Sequence, residues 1–292
     1  MTISTTRLWE KYVAARSVQE ALQALQFCGE RAALIAGGTD LVLLLEQTHQ
    51  TLPAVIEISA IPELREVYSD GNEIVIGAGV TFGDLLSSSL IATVAPSLRQ
   101  AAVTVGSFQI RNVATLVGNI VNASPAADGV PPLFTLDARV AIAGPNGTQR
   151  QVALEHFTLG PRRVNLGFGE MVTHVRFPVP GPASRMVFLK VGLRRAMAIA
   201  TVNVALRLEI VDQRVTAARI ALGAVAPTVV RAREAEHLLT GDILSEGAIA
   251  QAGKAAGRST SPIDDFRASA AYRRQIADTL VQEGLRILSS TS

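Results

Sequence analysis

The sequence predicts an α+β protein: a two-part α/β domain over 1–178, with subdomains about 1–60 and 61–178, then a smaller domain, 179–292, with an antiparallel sheet and helices. Three observations carry this. The first sixty residues alternate strand-like and helical apolar runs with short links, the pattern of parallel strands joined by a crossover. Past Ser184, long strand-like runs follow one another and then give way to three helical stretches. Between these regions Pro178, Pro180, Gly181 and Pro182 form a stiff linker.

The elements follow in order. "SVQEALQAL" (Ser17 to Leu25) opens with a Ser cap and has helical spacing. "AALIA" is a short strand, "TDLVLLLEQ" a helix and "AVIEIS" (Ala54 to Ser59) a second strand. Asp70-Gly71-Asn72 is a hairpin turn between strand-like runs. "TFGDLLSS" is a short helix capped by Thr81, and "LIATVAPSLRQAAVTV" a helix ending near Val103. Thr104 to Ala138 is apolar without a clean period and punctuated by Gly, Asn, Ser, Pro and Asp, as in chain threaded through a site. "ARVAIAGPNGTQRQVALEHF" is a hairpin with Asn146-Gly147 at its tip. "RMVFLKV", "IATVNVALRLEIV" and "VTAARIALGAV" are strands, with Asp212-Gln213 at a turn. Helices are expected over 230–239, 244–256 and 268–288.

Composition excludes several functions. Lys+Arg number 27 against 25 Asp+Glu, and aromatics are 4%, so neither a basic face nor a stacking platform for nucleic acid is expected. Cys28 stands alone, which rules out an intrachain disulfide and a cysteine-ligated cluster; it is expected to be a small buried hydrophobe. His49, His156, His174 and His237 lack metal-ligand spacing. The start "MTISTTRLWEKY" has no apolar signal region and no apolar run spans a membrane, so a cytoplasmic location is expected.

Four stretches could carry chemistry. In Gly37-Gly38-Thr39-Asp40 two glycines meet a helix start, which suits a phosphate turn or an ordinary tight turn, with Thr39 able to cap the helix. It is neither GxGxxG nor a Walker loop. Thr115, Asn119, Ser124 and Asp128 lie in an apolar run; they serve a ligand with hydroxyls and phosphates, or cap turns. Lys occurs only at 11, 190 and 254, and Lys190 sits in a strand among apolar neighbours, where it is paired, functional or at an edge. "DDFRASAAYRRQI" reads as a salt-bridged helix start or a docking surface.

Together "AGGTDL", "TVGSFQIRNVATLVGNIVNASPAADGVPPL", "GLRRAMAIATVNVAL", "ARIALGAVAPTVVRA" and "DDFRASAAYRR" resemble the FAD-binding medium subunit of molybdenum hydroxylases, the flavoprotein of the xanthine dehydrogenase and carbon monoxide dehydrogenase type, with a vanillyl-alcohol-oxidase-like FAD fold. The resemblance spans essentially the whole chain. It implies that 1–178 binds FAD, with Leu34, Ile35, Ala36, Gly37, Gly38, Thr39, Asp40 and Leu41 wrapping the pyrophosphate. It implies a second turn at Thr104, Val105, Gly106 and Ser107. Thr115, Gly118, Asn119, Ser124 and Asp128 would meet the ribityl, phosphate and adenosine portions, and Val172 and Lys190 would flank the flavin. Asp40 is then expected to turn its carboxylate from the pyrophosphate, to cap backbone or meet a cation.

The implied role is an electron-transfer subunit fed by a [2Fe–2S] small subunit, itself served by a molybdopterin large subunit, as a dimer of heterotrimers. Ser107, Val117 and Met197 depart from the family pattern: Ser107 and Val117 are expected to crowd the cofactor, and Met197 leaves the electron acceptor open. The alternatives are a free-standing FAD-dependent oxidoreductase or an assembly subunit that has lost redox function.

Overall fold

The computed structural model describes residues 7–194 and 196–290. Three parallel strands open the chain: β1 (Trp9–Ala14), β2 (Ala33–Ile35) and β3 (Leu52–Glu57), in the order β1-β3-β2. Helices α1 (Val18–Cys28) and α2 (Leu41–Thr48) make the crossovers. Ser17 caps α1 by accepting from Glu20 N. Strand β1 has no counterpart in the expected elements, because at the sheet edge "WEKYVA" keeps mostly exposed, polar side chains. Cys28 is half-buried at the end of α1, not sequestered as expected.

A hairpin follows, β4 (Val67–Asp70) and β5 (Glu73–Gly77), with Gly71 at φ +60°. Thr81 and Asp84 form a reciprocal capping box on α3 (Phe82–Ser87). The single helix expected next is two, α4 (Ser89–Val94) and α5 (Pro96–Thr104). Pro96 lacks an N–H and forces Ala95 out of helical geometry, to φ −140° and ψ 59°. The aperiodic stretch contains three helices of one or two turns: α6 (Phe108–Arg111), α7 (Leu116–Val121) and α8 (Val130–Thr135).

Strands β6 (Arg139–Ala143) and β7 (Gln149–Ala153) pair through the Asn146-Gly147 turn, where both residues have positive φ. After α9 (Leu154–Phe157) and the small ladder β8 (Thr158–Gly160) and β9 (Arg163–Val164), β10 (Met171–Pro178) enters the sheet between β5 and β6. That five-stranded sheet, β4-β5-β10-β6-β7, is antiparallel throughout. One hydrophobic core takes in both sheets of this region, from Ala15 to Phe177, and extends to Met186, Ala221 and Val229 of the next region.

The second region is a four-stranded antiparallel sheet: β11 (Ser184–Gly192), β12 (Ala200–Val211), β13 (Arg214–Gly223) and β14 (Val230–Arg231). Asp212 and Gln213 both take positive φ between β12 and β13. Helices α10 (Arg233–Leu239), α11 (Glu246–Arg258) and α12 (Ala270–Ser290) build a second core against one face of it. Val230 belongs to β14, so the expected helix over 230–239 starts three residues late. Phe188, Ala101 and Ala205 pack between the two regions, and Phe188 N donates to Gln100 Oε1 at 2.8 Å.

Candidate functional site

A cleft of about 600 Å³ lies between the α2 corner, the chain from Val105 to Asp128, and Ala198-Ile199 of the second region. Most of the expected residues line it: all of Leu34 to Leu41, then Val105, Gly106, Thr115, Gly118, Asn119, Ser124 and Asp128. Thr104, Ser107, Val172 and Lys190 do not. Val172 is buried in the main core, and Ser107 caps α6 by accepting from Ile110 N. Val117 is buried in the same core and does not crowd the cleft, because α7 turns that face inward.

The two glycines of the corner have different reasons. A Cβ on Gly37 would stand 1.9 Å from the Val113 carbonyl oxygen, so Gly37 permits backbone to meet backbone. Gly38 has φ +69°, a conformation that disfavours side chains. Within the described residues, nothing accepts from the N–H groups of Gly37, Gly38 or Thr39. Asp40, not Thr39, occupies the N-cap position of α2, and no side chain caps the helix. The Asp40 carboxylate accepts from Asn122 Nδ2 at 2.9 Å. The residue is exposed overall, yet desolvation at its carboxyl raises its pKa, opposed by the positive charge of Arg162.

Further polar residues both line the cleft and hold its wall. Thr115 Oγ1 accepts from Gly118 N at 2.9 Å, and Asn119 Oδ1 from Gly129 N at 3.1 Å. Ser124 Oγ accepts from Ala126 N at 3.3 Å. These are the turn-capping roles that the sequence left open. The residues still face the cleft, and Asn119 Nδ2 donates to nothing among the described residues.

Asp128 is the wall's buried charge. Lys190 Nζ ion-pairs with it, Thr104 Oγ1 donates to it at 3.3 Å, and Asn203 Nδ2 donates at 2.7 Å. Lys190 also donates to the Thr104 carbonyl at 3.2 Å. The lysine thus crosses from β11 to pin the wall from behind. Burial pushes the Asp128 carboxyl above its ordinary value, while Lys190, Asn203 and Thr104 pull it back.

These groups fit FAD. Free backbone donors at a helix start suit a pyrophosphate. Phe82, Ile110, Val121 and Ile199 give apolar surface for ring systems. At Gly118 an added Cβ would meet only Thr115 Oγ1, leaving room for a ligand. Sequence reasoning missed Asn122, which lay in the polar run it had singled out. It also missed Ala198 and Ile199, for which no local signal exists.

Among the described residues, no cluster of His, Cys, Asp and Glu could hold a metal ion, and no helix is long and apolar enough to cross a membrane. Residues 5–180 match the family model described as the FAD binding domain in molybdopterin dehydrogenase, and 188–288 that of the CO dehydrogenase flavoprotein C-terminal domain. The chain is 31% identical to the carbon monoxide dehydrogenase medium chain of Hydrogenophaga pseudoflava, over 94% of this chain and 95% of that one. It is 30% identical to the glyceraldehyde dehydrogenase medium chain of Sulfolobus acidocaldarius, over 94% and 96%. A solved carbon monoxide dehydrogenase from H. pseudoflava superposes with a TM-score of 0.91 at 32% identity, covering 95% and 96%. Quinoline 2-oxidoreductase from Pseudomonas putida 86 gives 0.90 at 29%, covering 96% of each chain. The cofactor is FAD and the enzyme class is oxidoreductase. The chain belongs to the family of FAD-binding medium subunits of the molybdenum hydroxylases.

Proposed function

We propose that this chain is the FAD-carrying electron-transfer subunit of a molybdenum-containing dehydrogenase complex. It receives electrons from a [2Fe–2S] small subunit, which a molybdopterin large subunit supplies, and passes them to an external acceptor. The observation that carries this is the cleft itself, which presents backbone N–H groups with no acceptor among the described residues, where no metal cluster is found either. The single cysteine fits the same division of labour, since a four-thiolate cluster must sit on another chain. FAD, when bound, links one-electron and two-electron chemistry.

The chain's own residues bind and orient. Gly37, Gly38 and Thr39 present N–H groups to the pyrophosphate. Thr115, Asn119 and Ser124 hold the second wall, and Lys190 and Asn203 fix Asp128 behind it. The first region, 1–178, is the FAD-binding domain; the second, 179–292, closes one side of the cleft. A dimer of heterotrimers in the cytoplasm is the assembly we infer.

The visible spectrum of the purified chain, with FAD added, tests the cofactor. Flavin bands are expected, and their absence sinks the reading. Co-expression with a cysteine-rich small subunit and a large subunit tests the assembly. A chain that binds FAD yet joins no such partner is a free-standing flavoprotein instead.

A further inference from the structure

Arg111 ends α6 and lies outside the cleft lining. Its Nη1 donates to three carbonyl oxygens: Val103 at 3.2 Å, Val105 at 3.0 Å and Gly106 at 3.3 Å. These belong to the end of α5 and the turn after it, where a helix leaves its last carbonyls without amide partners. Val105 and Gly106 also line the cleft, so this turn has one side toward the guanidinium and one toward the cavity.

Peptide geometry makes that division consequential. In a trans peptide the C=O and the N–H point in opposite directions, and no cis bond occurs among the described residues. The Val105 carbonyl shares its peptide with Gly106 N, and the Gly106 carbonyl shares its own with Ser107 N. Carbonyls gathered on Arg111 therefore send those two N–H groups the other way. Gly106 makes this turn possible with φ +49°, a left-handed conformation that disfavours side chains, between the extended residues Val105 and Ser107. Neither N–H has an acceptor among the described residues.

We propose that Arg111 is a positioning residue for the cofactor: it holds the carbonyls of Val103, Val105 and Gly106 behind the turn, so that N–H groups, not oxygens, face electron-rich atoms of the ligand. This rests on the reading of the cleft as the FAD site.

FAD is titrated into the apo-protein and its fluorescence quenching gives Kd, with the apo thermal midpoint as control. Arg111→Met is expected to weaken FAD about tenfold or more, as loss of a charged hydrogen-bond donor would. Millimolar methylguanidinium is expected to restore part of that affinity in Arg111→Ala. Arg111→Lys supplies a point charge without the planar fork and is expected to fall between. An Arg111→Met protein that keeps its apo midpoint and binds FAD within about twofold of wild type overturns the inference. So does weakened binding that tracks lost apo stability and is not rescued. If Arg111→Met does not fold, Arg111→Lys decides: wild-type affinity overturns, and weaker binding at an unchanged midpoint supports. A wild-type chain that takes up no FAD overturns the cofactor reading itself, whereas wild-type binding with unaltered variants overturns only the role of Arg111.

Discussion

Gly37 and Gly38 look equivalent in the sequence, yet they answer to different forces. The structure ties Gly37 to the carbonyl of Val113, a residue far along the chain, and Gly38 to its own backbone angle. Gly37→Ala sets a Cβ against main chain, which cannot rotate away. The two walls of the cleft must then separate, at a cost of about 1–3 kcal/mol or more. Gly38→Ala costs about 1 kcal/mol, the penalty of a left-handed conformation with a side chain. Urea unfolding of both variants, with FAD uptake measured alongside, checks the ranking. Equal losses would mean that the contact with Val113 is soft. The sequence revealed that glycines were required at this corner. It could not reveal the reason, because Val113 is brought there by tertiary packing.

At the scale of elements, legibility followed length. The strands β11, β12 and β13 and helices α11 and α12 have enough repeats for apolar periodicity to speak. Helices α6, α7 and α8 have four to six residues, too few to establish a period, so their stretch read as irregular chain. The helix start at "DDFRASAAYRRQI" was legible as a charge cluster, and the structure gives it a job. Arg273, 2% exposed on α12, donates to the carbonyls of Thr201 and Ala224 and to Asp265. Burial alone would raise the Asp265 pKa. Hydrogen bonds from Arg267, its backbone N–H, Arg273 and Ala268 N reverse that and hold the carboxyl well below the usual range. A depressed carboxylate contributes stability that is present above its unfolded value of 3.8 and is lost as pH falls below it. Urea midpoints taken from about pH 6 down to about pH 3 should fall in the wild type and fall less in Asp265→Asn. Parallel profiles would remove Asp265 from the account.

For the whole molecule, the buried Lys190–Asp128 pair joins the two regions, with side chains 10% and 8% exposed. Lys190→Met leaves the carboxylate with only Thr104 and Asn203 as donors among the described residues, at a cost of about 3–5 kcal/mol. The pH dependence has the opposite sign to that of Asp265. A carboxyl raised in the folded state favours folding while protonated, so its contribution declines as pH climbs from 3.8 through the folded value. Removing the lysine pushes that decline to higher pH. Denaturant unfolding across pH checks this, and Lys190→Met with Asp128→Asn should recover most of the loss. A profile identical to wild type would show that Lys190 does not govern the carboxyl. From sequence, Lys190 and Asp128 were each legible as unusual polar residues in apolar surroundings. Their pairing was not, because it depends on how β11 docks behind the turn after α5. Nor could local pattern reveal Ala198 and Ile199 as wall, since the second region brings them there.

The corner at Gly37 to Thr39 and the turn at Gly106 and Ser107 offer main-chain amides, and every residue type but proline carries one. A saturation-mutagenesis map of the cleft should therefore look inverted. Thr39 or Val105, which line the cleft, would accept many replacements. The intolerant sites would be those that shape the backbone: Gly37, Gly38 and Gly106 in the lining, and Arg111 outside it. Ligand specificity stored in this way is hard to retune by swapping lining side chains and easy to lose through a single change to the backbone scaffold.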